Sequence, residues 1–252
     1  LLALLWLLRA GSAAGLAGFA VAVVAFAFVL PGITFGWERN LGFVAAWWQQ
    51  MAGPYLVGRE LTTMQTGHIN QSLLGVLARF LTDAVAIEAR PPIHPRDVVL
   101  GFVELAPGTL HNLHRALCVL LVVHVWRRAP RSDQRESPRA TLGVAALFAL
   151  AMLALSERSW KHHFVLLPLP LAYLAWSAIA PLSGAGRAPA QGIARIGLAL
   201  AFLAFVMTGE GILGARGADL AEAYGAYFWG GAVLFFACDR VLVAERRLDC
   251  EG

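Results

Sequence analysis

Apolar residues gather along this chain in long runs separated by polar stretches. In order they are Leu1–Leu8, Gly15–Leu30, Thr109–Trp126, Thr141–Leu155, Phe164–Ala180, Ile193–Met207 and Gly225–Val243. A helix crosses a bilayer in roughly 20 residues, with a range of about 17–25. The shorter runs therefore extend into their polar flanks. The pattern predicts an all-α, polytopic transmembrane helical bundle: six full spans after a stub. Residues 31–108 form a long loop after the first full span. Its apolar pieces are too short to cross. Leu41–Met51 carries Trp47 and Trp48, which suit the headgroup zone. Leu73, Leu74, Val76, Leu77, Phe80 and Leu81 recur at helical spacing, with Asn70 or Ser72 as the cap and Arg79 and Asp83 off the apolar stripe. Both pieces are expected to be helices lying along the membrane surface. Pro91, Pro92 and Pro95 predict an extended stretch before the return span.

Composition agrees with this class. The hydrophobic fraction is 58% and the charged fraction 14%, against about 45–50% and about 25% in ordinary soluble domains. The whole chain, 1–252, reads as one transmembrane domain. Leu1–Leu8 and the small residues after it imitate a secretory signal. However, the nearby charge, Arg9, follows the apolar run instead of preceding it. The stub is expected to be the tail of a span, and the chain the C-terminal part of a larger protein.

Arginine orients the spans. One set of alternating loops carries Arg9; Arg127, Arg128, Arg131, Arg135 and Arg139; Arg187 and Arg195; and Arg240, Arg246 and Arg247. The short loops of the other set carry only Arg158, Lys161 and Arg216. The positive-inside rule places the first set in the cytoplasm. Residues 31–108 and Ser156–His163 then share the outer face. Basic residues scattered over loop ends give the net charge of +4 without a nucleic-acid surface. Cys118, Cys238 and Cys250 fit neither a disulfide framework nor a metal motif. The Ala- and Arg-rich composition points to a bacterial inner membrane.

Candidate chemistry gathers in two places. Ser156-Glu157-Arg158-Ser159-Trp160-Lys161-His162-His163 stands between two spans. Imidazoles there can accept a proton or, when protonated, bind phosphate. Headgroup anchoring is the competing role for Arg158 and Lys161. Adjacent helical residues point about 100° apart, so one of His162 and His163 is expected to face a cavity and the other to pack. In Gly67–Ser72, Asn70 and Gln71 offer amides suited to sugar hydroxyls or phosphate oxygens; a capping turn for the following helix uses the same residues. His94, His111 and His114 lack a spaced carboxylate or cysteine to complete a metal site, so no metal and no cofactor are assigned. Glu60, Asp83, Asp97 and Glu104 lie on the outer side, and nothing in their spacing singles one out.

Asn70-Gln71-Ser72-Leu73 with Gly75 and Arg79, followed far downstream by Ser156-x-x-Ser-Trp-x-His-His and a Pro-containing span, resembles glycosyltransferase family 87. Known members are polyprenol-phosphate-mannose-dependent mannosyltransferases. The resemblance covers roughly 35–170 and implies a GT-C fold acting at the extracytoplasmic surface. The family's catalytic carboxylate lies upstream of any counterpart here, and Glu157 stands where the family commonly has Pro. The implied partners are a polyprenyl-phosphate sugar donor, a lipid or glycan acceptor and membrane lipids. The implied reaction is direct displacement, with His162 or His163 in the electrostatic or acid–base role. Asn70, Gln71, Arg79, Arg158, Trp160 and Lys161 are implied to bind donor or acceptor. Polyprenyl phosphate leaves readily, so the reaction as implied asks for no metal. The competing class is a lipid or solute transporter, which predicts ionisable groups near the bilayer midplane and broken helices in repeated halves.

Overall fold

The computed structural model describes residues 2–49, 61, 63–131, 137–179 and 187–251. The chain divides into two compact units, one of residues 1–60 with 129–135 and one of 61–128 with 136–252. The sequence reading treats them as a single domain.

The first unit is helical. Helix α1 (Leu2–Arg9) leads into α2 (Ala13–Val24), opened by Ser12, whose Oγ accepts from the Gly15 amide at 3.0 Å. A π turn (Ala25–Val29) joins α2 to α3 (Leu30–Phe35), so apolar helix runs from Ala13 to Phe35. No residue of its most apolar 18-residue stretch is buried in the protein. So much exposed apolar surface is stable only in an apolar surrounding. Helix α4 (Trp37–Trp47) starts earlier than the expected Leu41, and Trp47 and Trp48 are exposed. The rest of the expected Leu41–Met51 piece and Tyr55–Glu60 lie outside the described residues.

The second unit opens with a short helix, α5 (Thr63–Thr66), and α6 (Leu73–Leu81). Ser72 caps α6, its Oγ accepting from the Gly75 amide at 3.0 Å. Helix α6 does not lie along a surface with Arg79 outward: Leu74, Gly75, Val76, Ala78 and Arg79 are all buried. Leu74 and Ala78 pack on Leu110, with Leu61, Leu77 and Leu81 around them. The proline stretch is more than an extended segment. It turns between strands β1 (Val85–Ile87) and β2 (Val98–Val99), which pair antiparallel with Val85 opposite Val99. Arg90 and His94 exchange backbone hydrogen bonds at the turn, at 2.7 and 3.0 Å.

Helices α7 (Pro107–Arg128) and α8 (Pro138–Leu155) follow. A 3-10 helix (Lys161–Leu166) leads to α9 (Pro168–Ile179), then α10 (Arg187–Phe205), α11 (Glu210–Ala223) and α12 (Ala226–Glu251). The α10–α11 pair bends by 79°. Helix α11 falls where the apolar pattern shows only a loop, and it is broken at Gly214, whose φ is +67°. Gly225 joins α11 to α12 at φ +80°. The chain is thus mostly helical. Ala13–Phe35, Pro138–Leu155 and Ala226–Arg247 are each long and apolar enough to cross a membrane, and the bent pair adds a fourth if it is one span. Helices α7 and α9, expected as spans, do not meet that measure: α7 carries His111, His114, Arg115 and His124, and α9 has only 12 residues.

Candidate functional site

The second unit brings Gly67–Ser72 and Ser156–His163 into direct contact, and the side chain that joins them is Asn70. Its Nδ2 donates to the Gln65 and Glu157 carbonyls at 3.0 and 2.8 Å. Its Oδ1 accepts from the Ser72 and Ser159 amides at 3.1 and 3.0 Å. Ser72 Oγ donates to the Glu157 carbonyl at 2.8 Å, and the Gln71 amide donates to the Ser159 carbonyl at 2.7 Å. Ser159 Oγ donates to the Leu153 carbonyl at 2.6 Å, tying the turn to the end of α8.

Gln71 and Arg79 extend this frame. Gln71 Nε2 donates to the carbonyls of His68, at 2.5 Å, and Glu222, at 2.7 Å. Arg79 Nε donates to the Ala223 carbonyl at 2.7 Å. Arg79 Nη1 donates to the Gly67 and Asn70 carbonyls at 3.0 and 2.8 Å. Burial lowers the Arg79 guanidinium to about 10, with Glu222 pulling the other way. Even so it stays charged at neutral pH. A buried cation must be surrounded by acceptors, and here the carbonyls of two distant segments serve. Asn70, Gln71 and Arg79 are 0–1% exposed. Their donors are committed to backbone, so Asn70 and Arg79 hold the loops together instead of presenting groups to a substrate, while Gln71 keeps one acceptor, Oε1, without a partner among the described residues. That corrects the sequence expectation for Asn70 and Arg79.

Helix α11 supplies the carboxylates that sequence reasoning missed. Asp219 accepts from Arg90 Nη2 at 2.7 Å and lies 3.1 Å from His94 Nε2 and 3.5 Å from His68 Nε2. Glu222, one turn on, pairs with Lys161 Nζ, which also stands over the Tyr227 ring at 5.8 Å. The β hairpin presents Arg90 and His94 because Ala86 and Ile87 pack on Ala223. Burial lowers the Lys161 pKa, but the hydrogen bond and charge of Glu222 outweigh it, with Tyr227 and Asp219 adding, and the net shift is upward. His68 moves down through burial, opposed by Asp219 and Glu222. The signal for this cluster was the i, i+3 spacing of Asp219 and Glu222, hidden by the glycines around it. Asp83, Asp97 and Glu104 are exposed, and Asp97 accepts from the Ala89 amide at 2.6 Å. Glu60 lies outside the described residues.

The Trp160–His163 turn sits on the frame. His162 and His163 are both exposed, their ring centroids 4.2 Å apart. The expected division into one cavity-facing and one packed histidine does not occur: neither ring is packed away, and the two lie against each other. His163 Nδ1 accepts from the Trp160 amide at 3.0 Å. A ring nitrogen that accepts carries no proton, so the neutral ring bears its N–H at Nε2. Burial, and then the neighbouring His162, lower the His163 pKa. The Trp160 indole Nε1–H is buried and has no partner among the described residues. Arg158 is half-buried beside Ser156, whose Oγ accepts from the Arg158 amide at 3.2 Å. Glu157, half-buried, accepts from Gln65 Nε2 at 3.5 Å; burial raises its pKa, against the Gln65 bond and the charges of Arg158 and Arg115.

His94 is bonded to Asp219, while His114 Nε2 lies 3.3 Å from Cys118 Sγ on α7. Among the described residues no group of three or more His, Cys, Asp or Glu is placed to hold a metal. No family model matches the chain, and neither a curated protein nor a solved structure matches it.

Proposed function

We propose that the protein is a GT-C-like membrane glycosyltransferase. It moves a hexose, with mannose as the choice the sequence resemblance makes, from a polyprenyl-phosphate donor to a lipid or glycan acceptor. The reaction runs at the extracytoplasmic face of a bacterial inner membrane. The observation that carries this reading is the Trp160–His163 turn: it holds the unspent Nε1–H of Trp160, the Nε2–H of His163 and the cation of Lys161 within four consecutive residues on a rigid, buried frame.

In the transfer, an acceptor hydroxyl oxygen attacks the anomeric carbon, the bond from that carbon to the phosphate oxygen breaks, and the hydroxyl proton passes to the upstream catalytic carboxylate that the family resemblance implies. Negative charge grows on the departing phosphate. Fixed donors in a site sheltered from water stabilise it most at that moment. His163 Nε2–H is oriented for this by the Trp160 amide behind it. His162 lends its ring as a wall and, when protonated, a second cation.

The competing reading is a transporter. One observation favours it: α12 carries Asp239, which accepts from Arg128 Nε at 2.6 Å and lies 3.0 Å from His124 Nε2, and Glu245, which forms an ion pair with Arg139 at 2.8 Å and accepts from the Tyr173 hydroxyl. Intramembrane charges of this kind often mark pathways. Both carboxylates are fully paired and lie in the C-terminal half of α12, which fits helix anchoring better than a path.

The test is sugar transfer by the full-length protein in proteoliposomes supplied with radiolabelled polyprenyl-phosphate mannose. His163→Ala is expected to lower turnover about 10²–10³-fold with folded protein retained, and His162→Ala to lower it less. Wild-type protein that transfers no sugar, or normal turnover by both variants, overturns the reading.

A further inference from the structure

Helix α4 turns back on the apolar helix it follows. Gly36 makes the turn at φ +88°. Among the described residues up to Gln49, only Gly32 and Asn40 are buried, and both lie where α4 meets that helix. The Trp37 ring covers Gly32, where a Cβ would come within 2.7 Å of it. Asn40 Nδ2 donates to the Ala27 and Phe28 carbonyls at 3.2 and 3.3 Å.

The position of those two acceptors is informative. They stand one turn before Pro31. A proline brings no N–H, so the helical ladder there lacks a donor, and Asn40 supplies it. In water, solvent would fill that role. In an acyl layer there is no water, and a carbonyl freed by proline must find its donor in a neighbouring segment. The two carbonyls belong to residues seven and eight positions before Phe35, about 10–12 Å along a helix axis. Helix α4 therefore meets its neighbour within the apolar length and not at its end.

Beyond Asn40 the helix has no polar face. Residues 41–48 read Leu-Gly-Phe-Val-Ala-Ala-Trp-Trp, without a charged, amide or hydroxyl side chain. Leu41, Gly42, Phe43, Ala45, Trp47 and Trp48 are exposed, and at about 100° per residue they point all round the axis. A helix lying along a membrane surface keeps a polar face toward water. One that is apolar all round belongs in an apolar medium. The charged residues of α4, Glu38 and Arg39, stand in its first turn, next to Gly36.

We infer that α4 turns back from Gly36 into the acyl layer beside Ala13–Phe35, held there by Asn40, instead of lying along the membrane surface as the sequence suggests. Lipid chains are the partner of its exposed side. That side continues the surface of Ala13–Phe35, whose most apolar stretch has no residue buried in the protein. Glu38 and Arg39 mark the headgroup level. The inference does not depend on sugar transfer.

The test places a nitroxide on α4. Each of the six exposed positions is replaced by Cys, one at a time, in protein carrying Cys250→Ser; Cys118 and Cys238 are buried and do not compete for label. In nanodiscs, collision rates with oxygen, which concentrates among acyl chains, and with a nickel chelate, which stays in water, report the depth of each label. Oxygen is expected to exceed the chelate at all six positions, with the ratio rising from Leu41 to Trp48. A ratio that oscillates with the helical period of about 3.6 residues marks a surface helix and overturns the inference. So do an excess of chelate collisions throughout, which marks water, and low rates with both reagents, which mark a protein partner. Asn40→Leu is expected to abolish the rise toward Trp48. An unchanged gradient in that variant overturns the part given to Asn40, and the wild-type scan decides the depth of α4 whether or not the variant folds.

Discussion

Replacing Asn70 with Ala tests whether the polar residues of Gly67–Ser72 serve the fold or a substrate. The side chain makes four hydrogen bonds, two given to the Gln65 and Glu157 carbonyls and two taken from the Ser72 and Ser159 amides. At about 1 kcal/mol net for each, their loss destabilises by about 4 kcal/mol. The Glu157 carbonyl keeps the Ser72 hydroxyl, while the Gln65 carbonyl and two amides must find water. Set against a total stability of about 5–15 kcal/mol, that is a large fraction. Equilibrium unfolding in mixed micelles, followed by far-UV circular dichroism, reads the effect. Asn70→Asp is expected to be at least as damaging. It keeps the acceptor but turns an oxygen toward two carbonyls. A midpoint within about 1 kcal/mol of wild type, with sugar transfer lost, refutes the reasoning and restores Asn70 as a substrate ligand.

Lys161→Met leaves the buried Glu222 carboxylate unpaired and is expected to cost about 3 kcal/mol, whereas Lys161→Met with Glu222→Met costs less; unfolding of the single and double variants decides it. Burial holds the His68 pKa below its ordinary 6.5 despite Asp219. The folded state therefore resists protonation, and its stability is full above pH 6.5 and falls as pH drops below it. His68→Asn is expected to flatten that slope, and an unchanged slope counts against the assignment. Gly225 sits at φ +80°, and a Cβ there would lie 2.8 Å from Val76 Cγ2. Gly225→Ala is expected to cost about 2 kcal/mol, of which adding Val76→Ala recovers only the steric share.

Much of the helical frame was legible because burial and helix capping leave periodic marks. The run Leu73–Leu81 behind Ser72 became α6 with those bounds, and the apolar run around Gly15–Leu30 became the helix from Ala13 to Phe35. Helix α11 was not legible. Gly209, Gly211, Gly214 and Gly217 interrupt its apolar stripe, and Gly214 breaks it in fact. What makes it a helix is tertiary: Ala223 packs on Ala86 and Ile87 of the hairpin, and that contact spans more than a hundred residues of chain.

The same distance explains the site. Asn70, Gln71 and Arg79 announce themselves by residue type, yet type does not reveal whether an amide or guanidinium will meet a ligand or a carbonyl. Their partners, at Glu157, Ser159, Glu222 and Ala223, come from segments that adjacency cannot connect. A buried arginine is stable only where several carbonyls converge, and convergence is a property of the fold. Side chains that must hold two loops together are therefore buried first and hydrogen-bonded fully. What they leave for chemistry is the little they do not use: the Trp160 indole N–H, the His163 Nε2–H set by the backbone behind it, and the one oxygen of Gln71 that no described residue reaches. Groups left unspent on a rigid frame are better guides to function than the polar residues that build the frame.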